Sequence, residues 1–209
     1  FRENTLKVDI LGRIFYVIVI YFISIFARFF FRVRVSGVEN IPTSGGVIVA
    51  ANHVSYLDIP LLAYSLIRPA NFIAKKELFT IPVLGTLLRL LGAIPIDREK
   101  PDRSAIREIT KKLKSGNVVV IYPEGTRSLN GKLQAGKPGV GFIVRMSGKK
   151  VVPAAIIGTD KAMPSGSWFL RPYPVTIRFG KPLDFSEWKE DVKITKVVMD
   201  NIAGLLDSK

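Results

Sequence analysis

The apolar residues of this chain take two forms in turn: short unbroken runs and stripes at helical spacing. Val47-Ile48-Val49-Ala50-Ala51, Val118–Ile121 and Val151–Ile157 are runs bounded by glycine or polar residues, the mark of strands buried on both faces. Phe31-Arg32-Val33-Arg34-Val35 alternates strictly, as a half-exposed strand does. Phe72-Ile73-Ala74, Ala93–Ile96 and Val175–Phe179 are further strand candidates, the last patterned like a strand near a sheet edge. Helical segments fall between them at 57–67, Pro82–Leu91, 102–114, 139–146 and 186–206. The clearest is 102–114, with Asp102 as N-cap and Ile106, Ile109 and Leu113 as its stripe. Lys111, Lys112 and Lys114 sit in its last turn, where the helix dipole favours cations. Strands alternating with helices predict one α/β domain over 32–209, its central sheet largely parallel or mixed and flanked by helices.

Residues 14–27 carry no charge, lie between Arg13 and Arg28, and are followed by Phe29, Phe30 and Phe31. A helix over 14–27 would reach about 21 Å, short of a hydrocarbon core about 30 Å thick. Extending it to Phe31 encloses Arg28. No small-residue cleavage site follows, which argues against a signal peptide. A true span and a buried core helix are the remaining alternatives. Short length, with aromatics and arginines at both ends, favours a helix lying in the membrane interface with its cations snorkelling outward. Residues 1–31 are thus expected to be an N-terminal apolar, membrane-associating helical segment.

Charge sharpens that expectation. The 209 residues include 31 Lys and Arg against 17 Asp and Glu, a formal net charge of +14. Such an excess points to an anionic partner: a nucleic acid, an anionic membrane surface or a phosphorylated substrate. The aromatics concentrate in the N-terminal segment and no nucleic-acid-binding motif appears, which disfavours the first. With no cysteine and a single histidine, thiolate or multi-histidine metal sites, cysteine nucleophiles and disulfides are excluded.

The single histidine, His53, follows the 47–51 run directly, so it stands at the carboxyl end of a strand, where open α/β sheets build their sites. Asp58 follows after four intervening residues in Asn52-His53-Val54-Ser55-Tyr56-Leu57-Asp58. If a helix starts near Ser55, the aspartate can fold back to the imidazole and support it as a general base. The same residues also fit a capping box, with Ser55 at N-cap and Asp58 at N3. After the 118–121 run comes Tyr122-Pro123-Glu124-Gly125-Thr126-Arg127-Ser128, with a glycine for a sharp turn, two hydroxyls and a guanidinium fork suited to phosphate. Glu124 is positioned to orient that arginine or the loop; an ordinary polar turn is the plain alternative. Asp97-Arg98 and Lys75-Lys76 close two other strands, so Lys75, Arg98 and Arg127 put cations at neighbouring strand ends. Surface ion pairs and solvated lysines would account for these too.

In their order, Asn52-His53…Asp58, Gly92…Asp97-Arg98, Pro123-Glu124-Gly125-Thr126-Arg127-Ser128 and Val152-Pro153 resemble the motifs of the glycerolipid acyltransferase family. The likeness is to the bacterial 1-acyl-glycerol-3-phosphate acyltransferases of the PlsC type, and Gly37–Pro42 is similar to the family's lead-in. The resemblance implies an acyl thioester donor, acyl-carrier protein or acyl-coenzyme A, and transfer to the 2-hydroxyl of lysophosphatidic acid to give phosphatidic acid. It implies His53 and Asp58 as the catalytic pair, with Arg98, Glu124, Gly125, Thr126, Arg127 and, more weakly, Lys75 around the acceptor phosphate. Lys137, in Gly136-Lys137-Pro138, also matches a family position. No metal and no bound cofactor are implied. The setting implied is the cytoplasmic face of an inner or plasma membrane, with peripheral or monotopic attachment. Glycerol 3-phosphate or another lysophospholipid remains the alternative acceptor.

Overall fold

The computed structural model describes residues 17–97, 102–164, 166–167 and 169–208. Residues 1–16, and with them the start of the apolar segment, lie outside the described residues, as does Arg98. Among the described residues seven strands form one sheet: β1 (Arg34–Ser36), β2 (Val47–Ala51), β3 (Ala70–Lys75), β4 (Ile94–Ile96), β5 (Val118–Ile121), β6 (Val151–Ile157) and β7 (Thr176–Phe179). Their order is β1-β7-β6-β2-β5-β3-β4. From β6 to β4 every neighbouring pair is parallel; β7 runs antiparallel to β6, and β1 parallel to β7.

The helices are α1 (17–25), α2 (Asp58–Ser65), α3 (Pro82–Leu90), α4 (Arg103–Lys114), α5 (Gly139–Ser147), α6 (Thr159–Ala162) and α7 (Asp191–Asp207). Alternate residues of the central strands feed two cores. Val47, Val49, Val118, Val120, Val152 and Ile156 face Leu61 and Leu62 of α2, with Ala27 and Phe31 and, more peripherally, Ile20 and Ile23 of α1. Ile48, Val119, Ile121 and Val151 face Ile109 and Leu113 of α4, Val144 of α5 and Ile194 and Val198 of α7. Strands covered on both faces must be apolar at every position, which is why β2 and β5 are unbroken runs.

Several expected boundaries move. Phe31 and Val33 belong to the approach to the sheet, and β1 starts only at Arg34. β7 does lie near a sheet edge, second from it, with β1 paired along its outer side. The last helix starts at Asp191 instead of 186. Pro153, a residue that often marks a sheet edge or bulge, sits in β6 between two neighbours. Its carbonyl accepts from Gly180 N–H at 2.8 Å, beyond Phe179, the last paired residue of β7. The missing donor therefore faces that side and breaks no bond to β2.

α1 runs into a π-helical turn, Phe26–Phe30. Arg32 then takes a positive φ of 46°, a left-handed turn that costs a side-chain-bearing residue about 1 kcal/mol or more. Val33 N–H donates to Ala27, Arg34 N–H to Val175, and Val175 N–H to Phe31, all at 2.9–3.0 Å. Among the described residues no helix is long and apolar enough to cross a membrane.

Candidate active site

Because β6, β2, β5, β3 and β4 are parallel, their carboxyl ends share one edge of the sheet. At about 4.8 Å per strand, the end of β3 stands about 10 Å from that of β2 across β5. His53 emerges from β2 through Asn52, whose side chain extends the sheet. Its Oδ1 accepts from Ile156 N–H at 2.7 Å and its Nδ2 donates to Ile156 C=O at 2.9 Å. Buried between β2 and β6, Asn52 stands in for one more pair of ladder bonds and fixes where the chain leaves the sheet.

The chain then turns tightly around one carboxylate. Asp58, wholly buried, is the first residue of α2. Its Oδ2 lies 2.7 Å from His53 Nδ1 and accepts the backbone N–H of Val54 and Ser55 at 2.7 and 2.8 Å. Its Oδ1 accepts the hydroxyl of Thr159 at 2.5 Å. These donors fix the orientation of the buried carboxylate at the helix N-terminus. Asp58 thus holds Nδ1 of His53 and leaves Nε2 as the nitrogen that can take a proton from a substrate.

Half of the expected capping box forms. Asp58 reaches back to Ser55 N–H, while the Ser55 hydroxyl donates to Met163 C=O at 2.9 Å and accepts from Leu57 N–H at 3.3 Å instead of from the N3 N–H. α2 starts two residues later than a Ser55 cap requires. The acid of that motif supports both the helix start and the imidazole.

The ring of His53 is stacked on Tyr122, with centroids 4.1 Å apart and planes 18° from parallel. The Tyr122 hydroxyl is buried without a hydrogen-bond partner. Burial, and then the charge of Asp58, push that phenol well above its ordinary pKa, so it stays neutral.

The loop after β5 grips the backbone of His53 from both sides. Glu124 Oε1 accepts His53 N–H at 2.7 Å, and His53 C=O accepts from Ser128 N–H at 2.8 Å. Glu124 Oε2 accepts from Gln134 N–H at 2.9 Å. Grouped in the sequence with the acceptor phosphate, Glu124 is given a different task here. Both oxygens are taken up by backbone donors in a buried position, and a carboxylate would repel a phosphate. Burial pushes its carboxyl above the ordinary value, opposed by the bonds from Gln134 and His53.

Gly125 adopts φ +70°, open to glycine, and a Cβ there would stand 3.0 Å from Cδ and Cε of Lys137. Lys137 is thereby drawn to the loop, where its own N–H donates to Pro123 C=O at 2.8 Å. Thr126 is exposed, and the Arg127 guanidinium lies 3.5 Å over the Tyr56 ring, a cation–π contact that presents it beside the His53 loop. Lys75 ends β3, two strands away, half-exposed and 3.6 Å from Glu77. The fold therefore brings His53, Asp58, Glu124, Gly125 and Arg127 together and leaves Lys75 at the margin. Among the described residues no cluster of three or more acidic or histidine side chains could hold a metal ion.

Three contributors escaped the sequence reading: the sheet-extending side chain of Asn52, the ring of Tyr122, and Thr159. The last had a legible signal, since Gly158-Thr159 follows β6 at the same carboxyl edge.

A family model described as Acyltransferase matches residues 32–157. The chain is 36% identical over 141 residues to a chloroplastic 1-acyl-sn-glycerol-3-phosphate acyltransferase of Arabidopsis thaliana, covering 66% of this chain and 39% of that protein. To the 1-acyl-sn-glycerol-3-phosphate acyltransferase of Bacillus subtilis it is 33% identical over 152 residues, 72% of this chain and 73% of the other. The crystal structure of the 1-acyl-sn-glycerophosphate acyltransferase PlsC from Thermotoga maritima superposes with a TM-score of 0.74 at 32% identity, covering 100% of this chain and 84% of that one. The chain spans 39%, 41% and 47% of the length of three plant and algal relatives it matches.

Proposed function

The chain belongs to the acyltransferase family, its bacterial PlsC-type members included, and on that footing we propose that it acylates lysophosphatidic acid at a membrane surface. The observation that carries this reading is the 2.7 Å contact between His53 Nδ1 and a wholly buried Asp58, beside a loop whose half-buried guanidinium lies over the Tyr56 ring. With Nδ1–H donated to Asp58, Nε2 removes the proton of the acceptor's 2-hydroxyl as its oxygen attacks the thioester carbonyl carbon. The carbon–sulfur bond breaks, and the proton passes from the imidazolium to the departing sulfur. The products are phosphatidic acid and a free thiol, with no acyl-enzyme. Arg127, Thr126 and the amides around Gly125 hold the acceptor phosphate, together with Arg98; Lys75 contributes charge from further off. Glu124 acts only through the backbone of His53.

The N-terminal segment supplies the lipid contact. Val17, Ile18, Tyr21, Phe22, Ile25, Phe26 and Phe29 recur at helical spacing on one exposed side, Phe29 at 76% exposure, while Ile20 and Ile23 pack on the sheet. A stripe of large apolar side chains facing outward, next to Arg28, suits the interface of an anionic bilayer and is not what core burial would leave. Together with the preceding residues this stripe forms the membrane-associating segment, and 32–209 the catalytic domain.

Turnover of an acyl thioester by the purified protein, with 1-acyl-glycerol 3-phosphate, glycerol 3-phosphate and a lysophospholipid lacking a free phosphate as acceptors, tests the reading. Selective acylation of the first is expected, with kcat lowered about 10²- to 10⁴-fold in His53→Ala. Equal use of all three would sink the acceptor, and wild-type turnover by His53→Ala the mechanism.

A further inference from the structure

The outer side of α4 carries charge that the fold does not use. Arg103, Arg107, Lys111 and Lys114 are all exposed. At 100° per residue they fall within an arc of about 80°, a row about 16 Å long. Among the described residues none of the four lies within ion-pair distance of a carboxylate. Cations on neighbouring elements behave otherwise. Arg145 pairs with Asp191 at 2.7 Å, Lys150 with Asp184, Lys193 with Glu190 and Lys196 with Asp200. Like charges at i, i+4 destabilise a helix, and Arg103 in the first turn also opposes the dipole. The single carboxylate within α4, Glu108, is rotated off the row. A groove of about 480 Å³ runs beside the row, rimmed by Arg107, Lys111 and Lys114 and floored by Ile106 and Met146, the latter 50% exposed.

The position of the row selects its partner. α4 packs Ile109 and Leu113 on the face of the sheet opposite the one that carries α1 and Phe31. Its side has isolated charge and no stripe of large exposed apolar residues, so it faces water when the N-terminal segment lies on lipid. Its first residue leaves the same carboxyl edge that carries His53. We propose that this row docks an acidic protein helix, one presenting carboxylates at helical spacing with an apolar residue for the groove. The protein bearing it carries the acyl thioester. This rests on reading the site as an acyltransferase and commits the donor to an acidic carrier protein arriving from the side away from the membrane. The row and groove give a linear, one-helix-wide match, which a flat bilayer does not require.

Arg107→Glu with Lys111→Glu tests it. Both positions are exposed, and the new carboxylates gain cation partners at i, i+4 and i, i+3 in Arg103 and Lys114, which offset their own i, i+4 repulsion; circular dichroism checks that the fold is kept. Steady-state kinetics with an acyl-carrier-protein donor and with acyl-coenzyme A, using 1-acyl-glycerol 3-phosphate as acceptor, give the readout. For the carrier-protein donor KM is expected to rise about tenfold or more, with a weaker salt dependence, at unchanged kcat. For acyl-coenzyme A, kcat/KM should stay within about twofold. An equal loss with both donors, no loss with either, or a wild type that accepts only acyl-coenzyme A overturns the docking proposal. So does a loss of flotation on phosphatidylglycerol-containing vesicles without donor discrimination, which would assign the row to lipid. A wild type inactive with both donors overturns instead the acyltransferase reading beneath it.

Discussion

The carboxylate of Glu124 accepts the backbone N–H of His53 at 2.7 Å, so the loop after β5 sets the height of the imidazole at the end of β2. Because both groups facing this carboxylate are N–H donors, an amide cannot replace it. Glu124→Gln leaves one buried donor opposite an NH₂ group, a cost of about 1–3 kcal/mol. In a chain of this size that lowers Tm by roughly 2–4 °C per kcal/mol. Calorimetry should register that loss, and kcat should fall while the acceptor's KM changes little. Glu124→Gln with the wild-type Tm and kcat would make the contact irrelevant.

Thr159 gives the second prediction. Its hydroxyl donates to Asp58 Oδ1 at 2.5 Å, while the other oxygen serves His53, Val54 and Ser55. Thr159→Val keeps the shape and removes the bond, so the carboxylate can rotate off the ring. A fall of about tenfold in kcat is expected, with both KM values within twofold and recovery in Thr159→Ser; about 1.4 kcal/mol corresponds to that factor. Were Thr159→Ser as slow as Thr159→Val, packing and not the hydroxyl would be at work.

Tyr122 separates its ring from its hydroxyl. Tyr122→Phe deletes a buried polar atom with no partner and should leave kcat unchanged and Tm equal or higher. Tyr122→Ala deletes the surface on which His53 stacks and, by analogy with other aromatic truncations, costs about 3–5 kcal/mol. Since burial holds the phenol well above 10.0, the wild-type and Tyr122→Phe pH–rate profiles should superpose through the alkaline range. A limb present only in the wild type would give the hydroxyl a role in the reaction.

Asp102 links pH to the end of β4 through Asp97. It caps α4, accepting the N–H groups of Ser104 and Ala105 at 3.0 Å, and also accepts Asp97 N–H at 2.9 Å. The Ser104 hydroxyl, then these amides, lower its pKa from 3.8 to about 2. A depressed carboxyl stabilises the fold fully above its unfolded value and loses that contribution as pH falls through the folded one. Asp102→Ala should therefore cost about 1 kcal/mol at neutral pH, and the gap from wild type should close between about pH 4 and pH 2. Denaturant titrations across that range measure it; a pH-independent gap would refute the assignment.

How much of this could be read in advance differs between fold and site. β2, β5 and β6 were legible because burial on both faces leaves no polar position, and α4 because its cap and stripe are local. β1 and the start of α7 were blurred, since strand ends and helix entries depend on neighbours that sequence spacing does not specify. The contact of His53 with Asp58 was legible from their separation in sequence, because a strand end and a helix start confine the loop between them. Glu124 was legible as a member of the site and as a residue that could orient its loop, but its hold on His53 N–H was not, because that donor lies 71 positions away. Thr159 stands 101 positions from Asp58, and only the adjacency of β6 and β2 brings them together.

The π-helical turn and the left-handed Arg32 join α1 to β1 through hydrogen bonds to Ala27 and Val175, with no free linker between helix and sheet. Such a joint does not swivel. If the N-terminal segment lies on lipid as proposed, the domain would ride there like a blade on a fixed handle, its pitch set by how the helix lies. Catalysis at the carboxyl edge would then depend on the membrane's curvature and packing through the angle of that joint alone.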